Sequence, residues 1–121
     1  MNCEPLDVVV VPFPFADRLA AKRRPALVVS SGEFNGSHEQ TILAMITSAR
    51  SDWRSDVAIQ RWQEAGLNVP CKVRLKLFTL DNALILRKAG RLANPDGEAV
   101  GRALSRCLVM DGPGDPSTHL R

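Results

Sequence analysis

The side chains best suited to chemistry in this sequence are positive charges and hydroxyls placed where predicted strands begin or end. Lys22, Arg23 and Arg24 come directly before an apolar run that Pro25 opens. Proline fixes its own φ and disfavours a helical conformation in the preceding residue, so Arg24 is expected to be extended at the rim of a strand. A guanidinium stays protonated and offers a planar fork of donors that fits phosphate. The same residues also fit a solvated basic loop, because charge runs are usually plain surface.

Thr47 and Ser48 form a second polar feature, at the point where the apolar segment 41–46 ends. Hydroxyl groups there can bond a phosphate oxygen or a ribose hydroxyl. Capping of the strand end explains the same pair without any ligand. Taken alone, the pair therefore leaves both interpretations open.

Other chemistries have less support in the sequence. The two histidines are His38, in a turn-rich segment, and His119, near the end of the chain. No histidine pair, metal-binding pattern, phosphate-cradling glycine loop or nucleophile elbow is visible, so we predict neither a metal nor a cofactor. The three cysteines, Cys3, Cys71 and Cys107, are widely spaced and include no Cys-x-x-Cys pair. They are expected to be small buried hydrophobes, plus one near the terminus, in a reducing compartment.

Length and composition indicate one folded domain with a mildly basic surface. The chain has 121 residues, 45% hydrophobic and 24% charged, and a formal charge of +3. We expect a single domain over 1–112 and a disordered tail over 113–121, which is rich in Gly, Pro and Ser. The positive charge suits a polyanionic partner. The acidic N-terminus and the short apolar run 8–15 predict no signal peptide, no membrane span and a cytoplasmic protein.

The elements that must position these residues are mostly short strands. Pro12 and Pro14 cannot donate to a sheet, so the first strand should end at an edge or a bend. A bulge is expected near Gly90, and residues 31–39 are expected to form a turn. Strands are predicted at 8–11, 26–30, 41–46, 57–60, 72–77 and 83–92, with polar loops at 16–24 and 49–55.

One helix is predicted, after the last strand. Asn94 is its expected N-cap, Pro95 its first helical residue, and Gly112 with Pro113 its stop. Its apolar stripe repeats at three or four residues and comprises Ala99, Val100, Ala103, Leu104, Cys107 and Leu108. The pattern therefore indicates a mainly β protein (α+β), with a curled sheet or small barrel closed by a C-terminal helix.

The order of these pieces closely resembles the MazF/PemK toxin family, over about Asp7 to Met110. The resemblance rests on an acid followed by VVVVPFPF, then RRPALVVS, ILAMITS, KLFTLD and RKAGRL. It implies an SH3-like barrel of the CcdB/PemK type with a C-terminal helix, usually a symmetric homodimer. It also implies a metal-independent endoribonuclease that cuts single-stranded RNA at short motifs, and a cognate antitoxin that covers the RNA groove.

The resemblance also assigns residues. The key arginine of the motif falls on Arg24, the key hydroxyl falls on Thr47, and Ser48 is the neighbouring polar position. In the implied reaction the 2′-hydroxyl of RNA attacks the adjacent phosphate. Arg24 would then contact the non-bridging oxygens and relay a proton, and Thr47 would position the phosphate or the 2′-hydroxyl.

The sequence departs from the family pattern at two places. Some relatives carry an arginine followed two residues later by an acid in the strand before the TLD motif. Arg74 matches that arginine and is expected to add charge at the site, but the position of the acid is occupied by Lys76. Before the first acid, the glycine of many members is replaced by Leu6.

Further RNA contacts are predicted from charge and aromatic character. Phe15 and Trp53 are candidates for stacking on unpaired bases, and each fits the core equally well. Loops 16–23 and 49–55 are expected to set the cleavage motif. The residues expected to follow the RNA backbone are Lys22, Arg23, Arg50 and Lys76.

Two other functions remain compatible with the same fold. CcdB-type toxins poison DNA gyrase without cleaving nucleic acid and resemble one another in a C-terminal Trp-Gly-Ile, whereas this chain ends His119-Leu120-Arg121. The third alternative is a diverged RNA-binding barrel without activity, which Lys76 suggests.

Overall fold

The computed structural model of the chain describes residues 2–14 and 22–110. The elements in chain order are β1 (Asp7–Phe13), β2 (Lys22–Val28), α1 (Gly32–His38), β3 (Gln40–Thr47), β4 (Val57–Ala58), β5 (Lys72–Asp81), a 3₁₀ helix (Asn82–Leu84), β6 (Arg87–Arg91) and α2 (Asn94–Cys107). Six strands form one sheet in the order β4-β5-β3-β2-β1-β6, with antiparallel pairing throughout. The mainly β fold, with a curled sheet and a C-terminal helix, is therefore confirmed.

The sheet is covered on both faces. Alternate residues of β1 point to opposite sides, as the pleat of a strand requires. Val8 belongs to a cluster that includes Val100 and Ala103 of α2. Val9 and Val11 belong to the other cluster, with the first residues of the chain and the segment after β5. The valine run is apolar on both faces because β1 lies inside the sheet and is buried from both sides.

The proline-containing end of β1 lies at an edge, as predicted. Val8 to Val10 pair with both β2 and β6, whereas Pro12 and Phe13 pair with β2 alone. A register shift between Val8 and Val9 places a bulge in β6 beside Gly90, which confirms the predicted irregularity.

The predicted turn over 31–39 was wrong, because Gly32–His38 form the helix α1, with Ser31 and Glu39 as its caps. Ser31 caps the helix by accepting a hydrogen bond from the N–H of Phe34 at 3.0 Å. Asn35 is fully buried, and its side chain donates to the carbonyl of Cys3 at 2.8 Å. The glycine, asparagine and serine residues of this segment indicate a turn when only the local sequence is considered. Here the tertiary hydrogen bonds of Asn35 stabilise a helix instead.

The start of α2 also differs from the prediction. Asn94 is the first helical residue and not the N-cap, which is Ala93, a residue without a side-chain capping bond. The buried carboxylate of Asp96 accepts hydrogen bonds from the N–H groups of Gln60 and Arg61, each at 3.0 Å. The first turn of α2 therefore holds the loop that follows β4.

The other boundaries shift by a few residues. Strand β2 begins at Lys22 and not after Pro25, because Lys22 to Arg24 pair with β1. The predicted last strand is split into the 3₁₀ helix and β6, and α2 ends at Cys107. Phe15, the predicted loop over 16–21, the predicted helix stop and the predicted tail lie outside the described residues.

Leu6 stands in a conformation that favours glycine, with φ of 77°. Its N–H donates to Val28 and its carbonyl accepts from Leu92, so tertiary hydrogen bonds hold it there. Its side chain lies against α2, where a Cβ added to Gly97 would come within 2.6 Å of a Leu6 methyl group. The side chain of Leu6 therefore fits against α2 because residue 97 is a glycine.

The cysteines do not follow the expected distribution. Cys3 is fully buried although it lies near the N-terminus, Cys71 is half-buried, and Cys107 on α2 is exposed. Burial raises the pKa of the Cys3 and Cys71 thiols. Cys3 is buried because the start of the chain packs beneath Asn35. In the part of the chain described, no helix is long and apolar enough to cross a membrane.

Candidate functional site

A groove of about 910 Å³ opens at one end of the sheet, between β2 and β3. Strand β2 pairs with β3 only over Ala26–Val28, whereas Lys22 to Pro25 pair with β1 alone. The groove includes the space between these unpaired ends and is also lined by residues of β1, β6 and the segment 66–71. Its polar lining comprises Arg23, Arg24, Thr47, Ser48, Asn68 and Arg87, and its apolar lining includes Val10, Pro25, Met45, Phe78 and Leu86.

Arg24 and Thr47 face each other across this groove. Ala26 and Met45 form the last pair of β2 with β3, so Arg24 and Thr47 each lie two residues beyond it, one on each wall of the groove. Both residues also have the parity that places them on one face of the sheet. Arg24 is exposed, and its guanidinium lies 5.3 Å from the centre of the Phe13 ring, a cation–π distance.

The hydroxyl of Thr47 is oriented by the chain that follows it. Its Oγ1 accepts a hydrogen bond from the N–H of Ala49 at 3.0 Å. An acceptor bond to the oxygen leaves the hydroxyl proton available as a donor toward a ligand. Thr47 is half-buried in the wall of the groove, where such a ligand would lie.

The other predicted RNA contacts divide into two groups. Arg23 and Ser48 line the groove beside Arg24 and Thr47. Lys22, Arg50 and Lys76 are exposed but lie outside the groove lining.

Arg74 lies away from the groove and is bound within the protein. Only 8% of it is exposed. Its guanidinium donates two hydrogen bonds to Asp56, at 3.1 and 2.8 Å, and one to the carbonyl of Ser51 at 2.8 Å. Trp53 lies with its ring 5.1 Å from the same guanidinium. These contacts use the Nε and one terminal nitrogen of the guanidinium, so the side chain is held by the protein and directed away from the groove.

Asp56 is a carboxylate that the sequence interpretation missed. The family pattern placed an acid at the position of Lys76, whereas the carboxylate that Arg74 binds comes from the neighbouring loop. The hydrogen bonds from Arg74 hold the pKa of the Asp56 carboxyl below its usual range, and Asp56 raises the pKa of Arg74 in turn. The pairing of Val57 with Val73 sets Asp56 beside Arg74, but only the strand register reveals this.

Asn68, Phe78 and Arg87 are among the groove residues that the sequence interpretation missed. Arg87 lies on the last strand, β6, and pairs with Val10 of β1. This pairing brings a third arginine to the groove. Its charge was visible in the sequence, but its position depends on the pairing of the first strand with the last.

Residues 4–108 match the family model described as PemK-like, MazF-like toxin of type II toxin-antitoxin system. The chain belongs to this family. MazF-like toxins among solved structures share its fold. MazF from Deinococcus radiodurans superposes with a TM-score of 0.70 at 24% identity, over 91% of this chain and 99% of that one.

Two mycobacterial structures extend the comparison. An endoribonuclease in complex with its cognate antitoxin gives a TM-score of 0.71 at 16% identity, over 93% of this chain and 98% of that one. Mycobacterium tuberculosis toxin MazF-mt6 gives 0.67 at 20% identity, over 88% and 99%. A search of curated protein sequences finds no match. Within residues 2–14 and 22–110, no group of three or more His, Cys, Asp or Glu side chains is placed to hold a metal ion.

Proposed function

We propose that this MazF-like protein is the toxin of a type II toxin–antitoxin pair and an endoribonuclease specific for single-stranded RNA. The observation that carries the proposal is the groove in which Arg24 faces Thr47 across two diverging strands. Membership of the toxin family supports it, as does the likeness to a mycobacterial structure described as an endoribonuclease.

The proposed reaction uses the nucleophile that RNA itself carries. The 2′-oxygen forms a bond to phosphorus and the bond from phosphorus to the 5′-oxygen breaks. The 2′-hydroxyl loses its proton and the departing 5′-oxygen gains one, so the products are a 2′,3′-cyclic phosphate and a 5′-hydroxyl. The reaction needs in-line geometry and donors for the charge that develops on the phosphorane oxygens.

The groove residues have suitable chemistry for both requirements. The Arg24 guanidinium offers a fork of donors to the non-bridging oxygens. The Thr47 hydroxyl donates to the phosphate or holds the 2′-hydroxyl in line. Arg23, Ser48 and Arg87 line the same groove and are assigned to the RNA backbone. No step of this scheme calls for a metal ion, because the nucleophile comes from the substrate and the positive charge from arginine.

Two partners belong to the proposal. One is a cognate antitoxin, for which the mycobacterial toxin–antitoxin complex is the structural precedent. The other is a second copy of the chain, in a homodimer. Copurification with the antitoxin and a molar mass by light scattering test these two parts separately from the activity.

The decisive experiment is cleavage of a long RNA in the presence of EDTA by the wild type, Arg24→Ala and Arg102→Ala. Arg102 is exposed on α2 and does not line the groove, so its variant controls for the loss of one charge. We expect cleavage with 5′-hydroxyl ends from the wild type and Arg102→Ala, and a loss of about 100- to 1000-fold for Arg24→Ala.

Equal cleavage by wild type and Arg24→Ala would reject the site. RNA binding without cleavage by the wild type would favour a diverged binding protein. Inhibition of gyrase supercoiling without RNA cleavage would favour a gyrase poison.

A further inference from the structure

Strand β5, which pairs with the strand that carries Thr47, holds an ion pair that the proposed reaction does not use. The side chains of Arg74 and Asp56 are 9% and 7% exposed, and their closest nitrogen and oxygen are 2.8 Å apart. Removing two charges from water costs free energy that their attraction repays only with good geometry and further hydrogen bonds. The pair has both, because Arg74 also binds Ser51 and Asp56 also accepts from the N–H of Trp53 at 2.8 Å.

These contacts fix the loop after β3 at two points. Asp56 is held by Arg74, and the carbonyl of Ser51 is held by both Arg74 and Lys72. Lys72 is itself the strand partner of Thr47. The loop is therefore bound to β5 at Ser51, through Lys72 and Arg74, and at Asp56, through Arg74.

The path from this pair to the groove is short. The chain between Thr47 and Ser51 is three residues long, and in it the N–H of Ala49 bonds the Thr47 hydroxyl oxygen. Thr47 is held in β3 and Ser51 is held by Arg74 and Lys72, so the segment that contains the Ala49 amide is fixed at both ends. Asp56 is absent from the groove lining, so it has no direct route to a bound ligand.

We propose that Asp56 is a positioning residue for the Thr47 hydroxyl. Through Arg74 and the Ser51 carbonyl it holds the Ala49 amide against Thr47 Oγ1, which directs the hydroxyl proton into the groove. The part of this proposal that concerns the cleavage rate rests on the proposed ribonuclease activity. The part that concerns the hydrogen bond between the Ala49 amide and Thr47 Oγ1 is independent of that activity.

The kinetic test compares Asp56→Asn with Glu64→Gln, which removes an exposed carboxylate paired with Arg61 on another loop. Misplacement of a positioning group lowers a rate by up to about 100-fold, so we expect Asp56→Asn to lower kcat by about 10- to 100-fold with little change in KM. Glu64→Gln should match the wild type. In a Thr47→Val background, which has no hydroxyl to orient, Asp56→Asn should have an effect of less than about twofold.

The proposal would be overturned if the loss of kcat in the double variant equalled the product of the losses in Asp56→Asn and Thr47→Val, since Asp56 would then act independently of Thr47. So would a kcat for Asp56→Asn equal to that of the wild type. Thermal unfolding of each variant establishes that the compared proteins are folded. Asp56→Glu, which keeps the charge and displaces it by one methylene, replaces Asp56→Asn if the latter does not fold.

The second measurement needs no activity. Hydrogen exchange of the Ala49 amide, followed by NMR in the free protein, should be faster in Asp56→Asn than in the wild type and unchanged in Glu64→Gln. An unchanged Ala49 amide in Asp56→Asn overturns the proposal whether or not the protein cleaves RNA. Faster exchange with an inactive wild type rejects the proposed function and retains the positioning role.

Discussion

Arg24 is placed by its neighbour as much as by its own chemistry. Pro25 favours an extended backbone at Arg24, and the pairing of Arg24 with Val11 keeps it on the strand beside Phe13. The backbone of Arg24 is therefore fixed on β2, and its guanidinium lies over the Phe13 ring at the groove. This arrangement makes the shape of the donor group important as well as its charge.

The first prediction concerns that shape. Arg24→Lys keeps the charge but loses the planar fork, so it should restore only part of the activity that Arg24→Ala loses. Single-turnover cleavage of a short RNA measures the three rates, and we expect the lysine variant to fall at least about tenfold below the wild type. Wild-type activity in Arg24→Lys would show that a point charge is sufficient.

The sequence predicted the groove pair and could not predict the buried one. Arg24 and Thr47 are marked by strand ends, which proline and the end of an apolar run reveal locally. Arg74 alternates with apolar residues like an exposed strand residue. It is buried because Asp56, 18 positions away along the chain, meets it through the pairing of β4 with β5. No local pattern contains that information.

At the scale of elements, the Asp56–Arg74 pair joins the loop after β3 to strand β5, and its contribution to stability depends on pH. The pKa of Asp56 is lowered in the folded protein by the hydrogen bonds from Arg74. A carboxyl with a lowered folded pKa stabilises the fold at pH values above its unfolded pKa, about 3.9. That contribution is lost as the pH falls from there through the folded pKa.

The second prediction follows from this sign. Between about pH 4 and 6 the wild type should keep a constant contribution from the pair, and below about pH 4 its free energy of unfolding should fall. Asp56→Asn should be less stable than the wild type above about pH 4 and should show a shallower fall below it, so that the two curves approach each other at low pH. Urea unfolding at a series of pH values gives both curves, and parallel curves below pH 4 would contradict the prediction.

The third prediction concerns the contact between Leu6 and helix α2. Alanine is normally favoured over glycine inside a helix by about 1 kcal/mol. A Cβ at Gly97 would lie 2.6 Å from a Leu6 methyl group, and overpacking typically costs about 1–3 kcal/mol. Gly97→Ala should therefore lower Tm in the wild type and raise it in a Leu6→Gly background. The same sign in both backgrounds would show that Leu6 moves aside without cost.

The other elements show where local patterns were sufficient. The strands and the C-terminal helix follow from apolar periodicity. Helix α1 does not, because its stability comes from Asn35 bonding to Cys3, a residue 32 positions earlier. The start of β2 was misplaced because the basic residues Lys22 to Arg24 were interpreted as part of a loop. In the structure these residues pair with β1 and belong to the strand.

At the scale of the whole molecule, the groove collects arginines from separate strands and should bind RNA with a measurable dependence on salt. Each phosphate neutralised on a single strand contributes about −0.7 to the slope of log K against log salt. The fourth prediction is that Arg87→Ala reduces this slope by about 0.7, whereas Arg102→Ala leaves it unchanged. Titration of a 2′-deoxy oligonucleotide avoids cleavage during the measurement. An unchanged slope for Arg87→Ala would place Arg87 outside the RNA path.

The pairing of β1 with β6 joins the first strand of the chain to the last, with Asp7 beside Arg91. Arg87, at the start of β6, also lines the groove, so part of that wall is made only after most of the chain has been synthesised. A nascent chain on the ribosome holds β1, β2 and β3 well before β6 emerges, at a rate of about 5–20 residues per second. Such a chain carries Arg24 and Thr47 but lacks Arg87 and the other lining residues that follow β3. Under the proposed function, the groove is therefore complete only once β6 has joined the sheet, and that is the point from which an antitoxin would be needed.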